Sequence, residues 1–360
     1  MNLQNIISGK QRFLLGCSII SFGILMTSSG GSWDITNHLL NKPETFFSLP
    51  HLFLYLGVAL SSVGTGVMLL GNRQVFDQQK FKLSKKLVLI GLPMVILAGP
   101  FDYFWHLAFG LDGLFSPSHF VLTFGLFLTS IGALSGIVSY PKSKITVSYS
   151  LLTVLGFLPI WLIATGILYM FTLPFSETEF FSFNPDPTFA VILSTLSYPL
   201  LISTVLFMSY RINKRFGILT ITGSCFLFIN AITSILPNDS LFATIPFYLA
   251  SIIPFFISDI ILSFTKRKIF QFVAGAILGS TAFMVYYPLI TYVYNGVFTQ
   301  TMVFPSLIAH VYSELMVSVY PLLVGIMIVV GVIGAALGGY ILSHGDAAKP
   351  VLGVKTKPQF

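Results

Sequence analysis

The chain has 360 residues, of which 55% are hydrophobic and only 9% charged, with a formal net charge of +7. A water-soluble domain carries about 25% charged residues, so too few remain here to coat a water-facing surface, and a soluble domain or a nucleic-acid-binding module is excluded. The basic residues stand in short clusters between apolar runs, which reads as a topology signal, and the two cysteines, Cys17 and Cys225, supply neither a disulfide framework nor a thiolate metal site.

Apolar runs long enough to cross a hydrocarbon core of about 30 Å recur along the whole sequence. They predict helices near 13–33, 50–71, 87–108, 117–140, 147–173, 188–210, 216–236, 241–264, 269–293 and 317–343. The expected fold is an all-α integral membrane protein of about ten transmembrane helices. The joins between runs alternate in charge. One set is basic: Lys10 and Arg12, Arg73 through Lys86, Lys142 and Lys144, Arg211 to Arg215, Lys266 to Lys268, then Lys349, Lys355 and Lys357. The other is acidic or neutral, around Asp34 and Glu44, Asp112, Glu177 to Asp186, Asp239 and the stretch 294–316. Of 19 Lys and Arg residues, 18 fall in the first set and only Lys42 in the second. The excess of positive charge on cytoplasmic joins then places both termini inside, in a multi-pass protein of the cell (cytoplasmic) membrane.

The first run has the flanks of a secretory signal, with Lys10 and Arg12 before it and Ser28 to Gly31 after it. An internal repeat argues that it is retained. Shifted by 68 residues, Gly31, Asp34, His38, Leu39, Phe47, Ser48, His51, Leu54, Gly57, Leu60, Ser62 and Gly64 fall on identical residues from Gly99 to Gly132, and Glu44 falls on Asp112. Residues 1–140 thus read as a duplicated two-helix hairpin and 141–360 as a six-helix membrane region. Repeats of this kind are common in membrane proteins.

Both copies spell Asp-x3-His-x5-(Glu/Asp)-x6-His. Residues four apart share a helix face, so Asp34 with His38, and Asp102 with His106, point at one centre from the outer end of a helix. His51 and His119 open the returning helices beside Pro50 and Pro117 and fold back toward the same points. His310 and Glu314, again four apart, precede the last run at the same level. The candidate ligands are therefore Asp34, His38, Glu44, His51, Asp102, His106, Asp112, His119, His310 and Glu314 on the external side; no catalytic residue is singled out. Ionisable groups at a bilayer are costly and tend to be functional. Other polar residues have plainer readings: Asp259 as a snorkelling partner of Lys266 and Arg267, Trp33, Trp105, Tyr286, Tyr287 and Tyr292 as interfacial aromatics, and Gly31 and Gly99 as sites of close helix packing.

A donor set of imidazole nitrogen and carboxylate oxygen without thiolate suits copper, zinc or iron, with affinity rising toward copper. At this point the chain resembles a known family. Asp-x3-His-x12-His is the metal-ligand spacing of the C subunit of the copper membrane monooxygenases, which oxidise methane or ammonia. Asp102, His106 and His119 match it, and so do Asp34, His38 and His51; the resemblance covers the two hairpins, about a third of the chain. It implies copper, oxidative chemistry and partner membrane subunits.

The residues by themselves leave several functions open. A membrane oxidoreductase or a subunit of one would use metal at both hairpins. A metal transporter or acquisition protein would need polar residues continuing down through the bilayer, for which Asn230 and Asp259 are the main candidates. A bis-His haem protein would use His51 and His119 and leave both Asp residues without a role. A membrane zinc hydrolase would need a general acid or base beside metal-bound water, a part that Glu44, Asp112 or Glu314 can fill. The substrate is not legible, and the certain partner is the lipid bilayer.

Overall fold

In lipid no water satisfies a backbone N–H or C=O, so apolar runs of this length must close their hydrogen bonds within themselves as helices. The computed structural model describes residues 3–40, 42, 45, 47–71, 79–110, 113–140, 146–172, 187–237, 239–264, 267–282, 284–286 and 317–344. No strand occurs among them, and ten helices are long and apolar enough to cross a membrane. In chain order the elements are α1 (Leu3–Leu39), α2 (Leu49–Leu69), α3 (Gln79–Phe109), α4 (Pro117–Ser139), α5 (Val147–Thr172), α6 (Pro187–Asn213) and α7 (Ile218–Ile235). A 3-10 turn (Asp239–Thr244) leads into α8 (Ile245–Ala250), followed by α9 (Ile253–Phe264), α10 (Lys268–Ile277) with a π turn (Leu278–Ala282), and α11 (Val317–His344).

The eighth span is thus broken into α8 and α9, with Pro246 and Pro254 each just inside the new helix start, where a missing N–H costs nothing. Helix α1 runs for 37 residues, roughly 55 Å at 1.5 Å per residue. That exceeds the hydrocarbon core, so Asp34 and His38 fall in its last turns, beyond the apolar stretch predicted from sequence.

Helix α1 is the spine of the first half: it packs along α2 and also against α4, α5 and α7. Helices α3 and α4 form the second hairpin, while α6 packs along α11 and α10 closes on α11. Glycines at the helix crossings set these distances. A Cβ on Gly57 would stand 2.5 Å from Gly23 O, and one on Gly125 would stand 2.8 Å from Gly91 O. Those four glycines correspond in pairs under the 68-residue shift. Gly31 and Gly99 are not packing glycines: no described atom lies within 4 Å of where their Cβ would stand.

An aromatic core lies within the second half, 141–360. Trp161 of α5 stacks on Phe226 of α7, with centroids 4.0 Å apart and planes within 6°. Tyr286 belongs to this interior and not to an interfacial belt: it is 4% exposed, and its hydroxyl meets that of Tyr169 at 2.5 Å. Asp259 of α9 is 1% exposed and turns to the start of α7, where it accepts from Leu219 N (3.3 Å), Thr220 N (2.8 Å) and Thr220 Oγ1 (2.6 Å). A carboxylate supplied by another helix thereby satisfies first-turn N–H groups and the positive end of the α7 dipole.

Candidate metal centre

Each hairpin brings one carboxylate and two imidazoles together where its helices meet. In the first, Asp34 Oδ1 lies 3.0 Å from His51 Nε2 and Asp34 Oδ2 lies 3.6 Å from His38 Nε2. In the second, Asp102 Oδ1 lies 3.4 Å from His119 Nε2 and Asp102 Oδ2 lies 3.4 Å from His106 Nε2. Within each triad the three ligand atoms all lie within 4.8 Å of one another, and all six residues are half-buried. Antiparallel hairpins put the C-terminal ends of α1 and α3 at the same end of the bundle. Tyr55 of α2 lies 6.0 Å from the His51 ring and within electrostatic range of both Asp34 and Asp102.

The hydrogen bonds behind the ligands fix which nitrogen faces inward in three of the four imidazoles, those of His51, His106 and His119. His51 Nδ1 meets the Thr45 carbonyl at 3.0 Å, and His106 Nδ1 meets the Gly110 carbonyl at 2.9 Å. A carbonyl only accepts, so both Nδ1 atoms carry a proton, and in its neutral form each ring turns the Nε2 lone pair inward. Gly110 reaches that position because its φ of +75° ends α3 in the left-handed region that glycine tolerates. At His119 the same result follows through hydroxyls. Ser118 Oγ donates to Asp102 Oδ1 at 2.6 Å, so its oxygen accepts from Ser116 Oγ at 3.0 Å. Ser116 Oγ then accepts from His119 Nδ1 at 2.8 Å, while also capping α4 through His119 N.

Lone pairs thus face a carboxylate across gaps that are long for charge-assisted hydrogen bonds, which run about 2.7–2.9 Å. Three of the four N···O distances are 3.4–3.6 Å. The edge of a tetrahedron around a cation with bonds of about 2.0–2.1 Å is roughly 3.3–3.4 Å. Asp34 Oδ1 is fully buried and accepts no hydrogen bond of regular geometry, although His51 Nε2 is close by. Imidazoles oriented by an acceptor at the far nitrogen are the ordinary support of metal ligands, so the residues present fit a nitrogen- and oxygen-loving cation.

Six of the ten candidate ligands are brought together in this way; Glu44, Asp112, His310 and Glu314 lie outside the described residues. Sequence reasoning missed Ser118, Tyr55 and the carbonyls of Thr45 and Gly110. Ser116 was visible as a repeated residue but its role was not. Lys42, the one basic residue on its side of the chain, donates to the Pro237 carbonyl at the far end of α7, and Ser32 Oγ donates to Thr233 Oγ1 at 3.2 Å, so α7 braces the first hairpin. No family model matches the chain, and neither a curated protein nor a solved structure is detectably similar to it.

Proposed function

We propose that the chain is a membrane metalloprotein with two ion sites, Asp34/His38/His51 and Asp102/His106/His119, that it carries copper, and that it acts as an oxidoreductase or as a subunit of a membrane monooxygenase-like complex. One observation supports the reading: in each hairpin two imidazoles and a carboxylate converge with their ligand atoms within 4.8 Å of one another, and in the second hairpin both N···O gaps are 3.4 Å, the edge of a tetrahedron. Copper follows from the donor set, which binds it most strongly among divalent first-row ions, and from a site on the external face, away from the reducing cytoplasm. That orientation rests on the positive-inside distribution of Lys and Arg. Copper so held would supply one-electron chemistry; the chain's own part is to fix the imidazole tautomers and hold the carboxylates in place.

The other readings have less behind them. The hydroxyls below the centres are spent on their own helices, as in Thr27 Oγ1 to Gly23 O, Ser61 Oγ to Gly57 O and Thr129 Oγ1 to Gly125 O, which disfavours a polar path for transport. His51 and His119 each face a carboxylate of their own hairpin, which disfavours a haem shared between them.

The test is metal analysis of the purified protein beside His38→Ala and His106→Ala. Two equivalents of copper in the parent and one in each variant are expected. Equal metal content in all three proteins would end the proposal, and zinc in place of copper would move it to the hydrolase reading.

A further inference from the structure

The two centres share their ligands but not the groups behind them. Under the 68-residue shift Ser116 corresponds to Ser48, but Ser118 corresponds to Pro50. In the second hairpin Ser118 places a hydrogen on Asp102 Oδ1 at 2.6 Å and is itself tied through Ser116 to His119. In the first, proline has no hydroxyl to give. Asp34 Oδ1 and Ser48 Oγ are both left buried without a hydrogen-bond partner, and His51 Nδ1 is held by the Thr45 carbonyl instead.

We infer that the centres are unequal: the first closes around a cation with two carboxylate oxygens and two imidazoles, while the second engages one oxygen and two imidazoles and keeps a position open to a small exogenous ligand. The inference rests on the metal reading above. Its physical basis is competition for one oxygen. A short hydrogen bond draws electron density from Asp102 Oδ1 and tethers it to the start of α4, leaving Oδ2 as the strong donor. Asp34 has no such hydroxyl on either oxygen, and its two oxygens stand one beside each imidazole, at 3.0 and 3.6 Å. Four protein donors make a closed, structural site, whereas three leave room for water or substrate. The second centre is then the reactive one and the first a structural or reservoir site. Ser118 is a positioning residue: it touches the carboxylate and not the incoming ligand.

Copper(II) and azide test this in purified protein. His106→Ala isolates the first centre and His38→Ala the second. Azide is expected to produce a ligand-to-copper charge-transfer band in copper-loaded His38→Ala and none in copper-loaded His106→Ala. Adding Ser118→Ala to the His38→Ala protein should weaken azide binding at least about tenfold, and Ser118→Thr should restore it. Adding Pro50→Ser to the His106→Ala protein should create the band. Equal azide response from the two isolated centres, whether both bind or neither does, overturns the inference while leaving the metal reading intact. Failure of the isolated centres to take up copper overturns the metal reading, and this inference with it.

Discussion

Replacing Gly57 by alanine should strip the first centre of its metal without touching any ligand. The new Cβ would stand 2.5 Å from Gly23 O and 2.6 Å from Thr27 N, both backbone atoms of α1 that cannot swing aside. Ordinary contact begins near 3.4 Å, so the helices must part by about 0.9 Å (3.4 less 2.5) at this crossing. Gly57 lies six residues from His51, roughly 9 Å along the helix axis, too short a lever for α2 to bend back before the site. The His51 to Asp34 gap would open from 3.0 Å toward 3.9 Å, whereas coordination tolerates about 0.2 Å in a bond. Overpacking of this size costs about 1–3 kcal/mol, and the metal affinity of the first centre should fall about 10- to 100-fold, as when a ligand is mispositioned. The assay is copper titration against a competing chelator in the His106→Ala background. Gly66→Ala on the same helix is the control, because no described atom lies within 4 Å of its Cβ position. If Gly57→Ala binds copper as tightly as Gly66→Ala in equally folded protein, the helix crossing does not set the ligand geometry.

The second hairpin should behave alike, with Gly125→Ala lowering affinity in the His38→Ala background and Gly99→Ala, which faces open space, leaving it unchanged in the same titration. Asp259→Ala removes the acceptor for three donors of α7 and should destabilise the protein by about 3 kcal/mol, read as a lower thermal midpoint in detergent at unchanged copper content. Trp161→Ala empties the stack on Phe226 and should cost about 3–5 kcal/mol in the same melt. Cysteines placed at Lys355 and at Glu177 should report topology: an impermeant thiol reagent added to intact cells is expected to label only the latter, and labelling of Lys355→Cys alone would invert the orientation.

Most of the fold was legible because lipid leaves the backbone one choice. The ten apolar runs become ten apolar helices, and the spacing of Asp34, His38 and His51 already places them on facing helix ends. What escaped reading was tertiary. The partner of Asp259 lies 39–40 residues back along the chain, with no periodicity to mark it, while Lys266 and Arg267 offered a suggestion nearer in sequence. Gly31 and Gly99 stood out as repeated glycines beside the ligands, yet close packing falls to Gly30 next door and to the deeper Gly23/Gly57 and Gly91/Gly125 pairs, because close helix approach is decided by which residue faces the crossing helix. Ser118 was hidden by the comparison that exposed its neighbours: matching the two hairpins rewards identity, and Ser118 matters because it differs from Pro50.

That difference bears on what a second, like site would add. A carboxylate and two imidazoles at a membrane surface are expensive to desolvate, and a second identical set doubles the cost for no new chemistry. The ligands kept their spacing, and so did Gly23/Gly57 and Gly91/Gly125, the paired contacts that hold each hairpin closed. The groups behind the ligands differ: Ser116 caps the start of α4 through His119 N, whereas Ser48 makes no side-chain cap at the start of α2. The two hairpins therefore differ in the groups behind the ligands and agree in the ligand spacing and the paired glycines. On the proposed reading, two centres within electrostatic range of one tyrosine, alike in their ligands and different in the groups behind them, would be suited to dividing labour between holding an ion and using one.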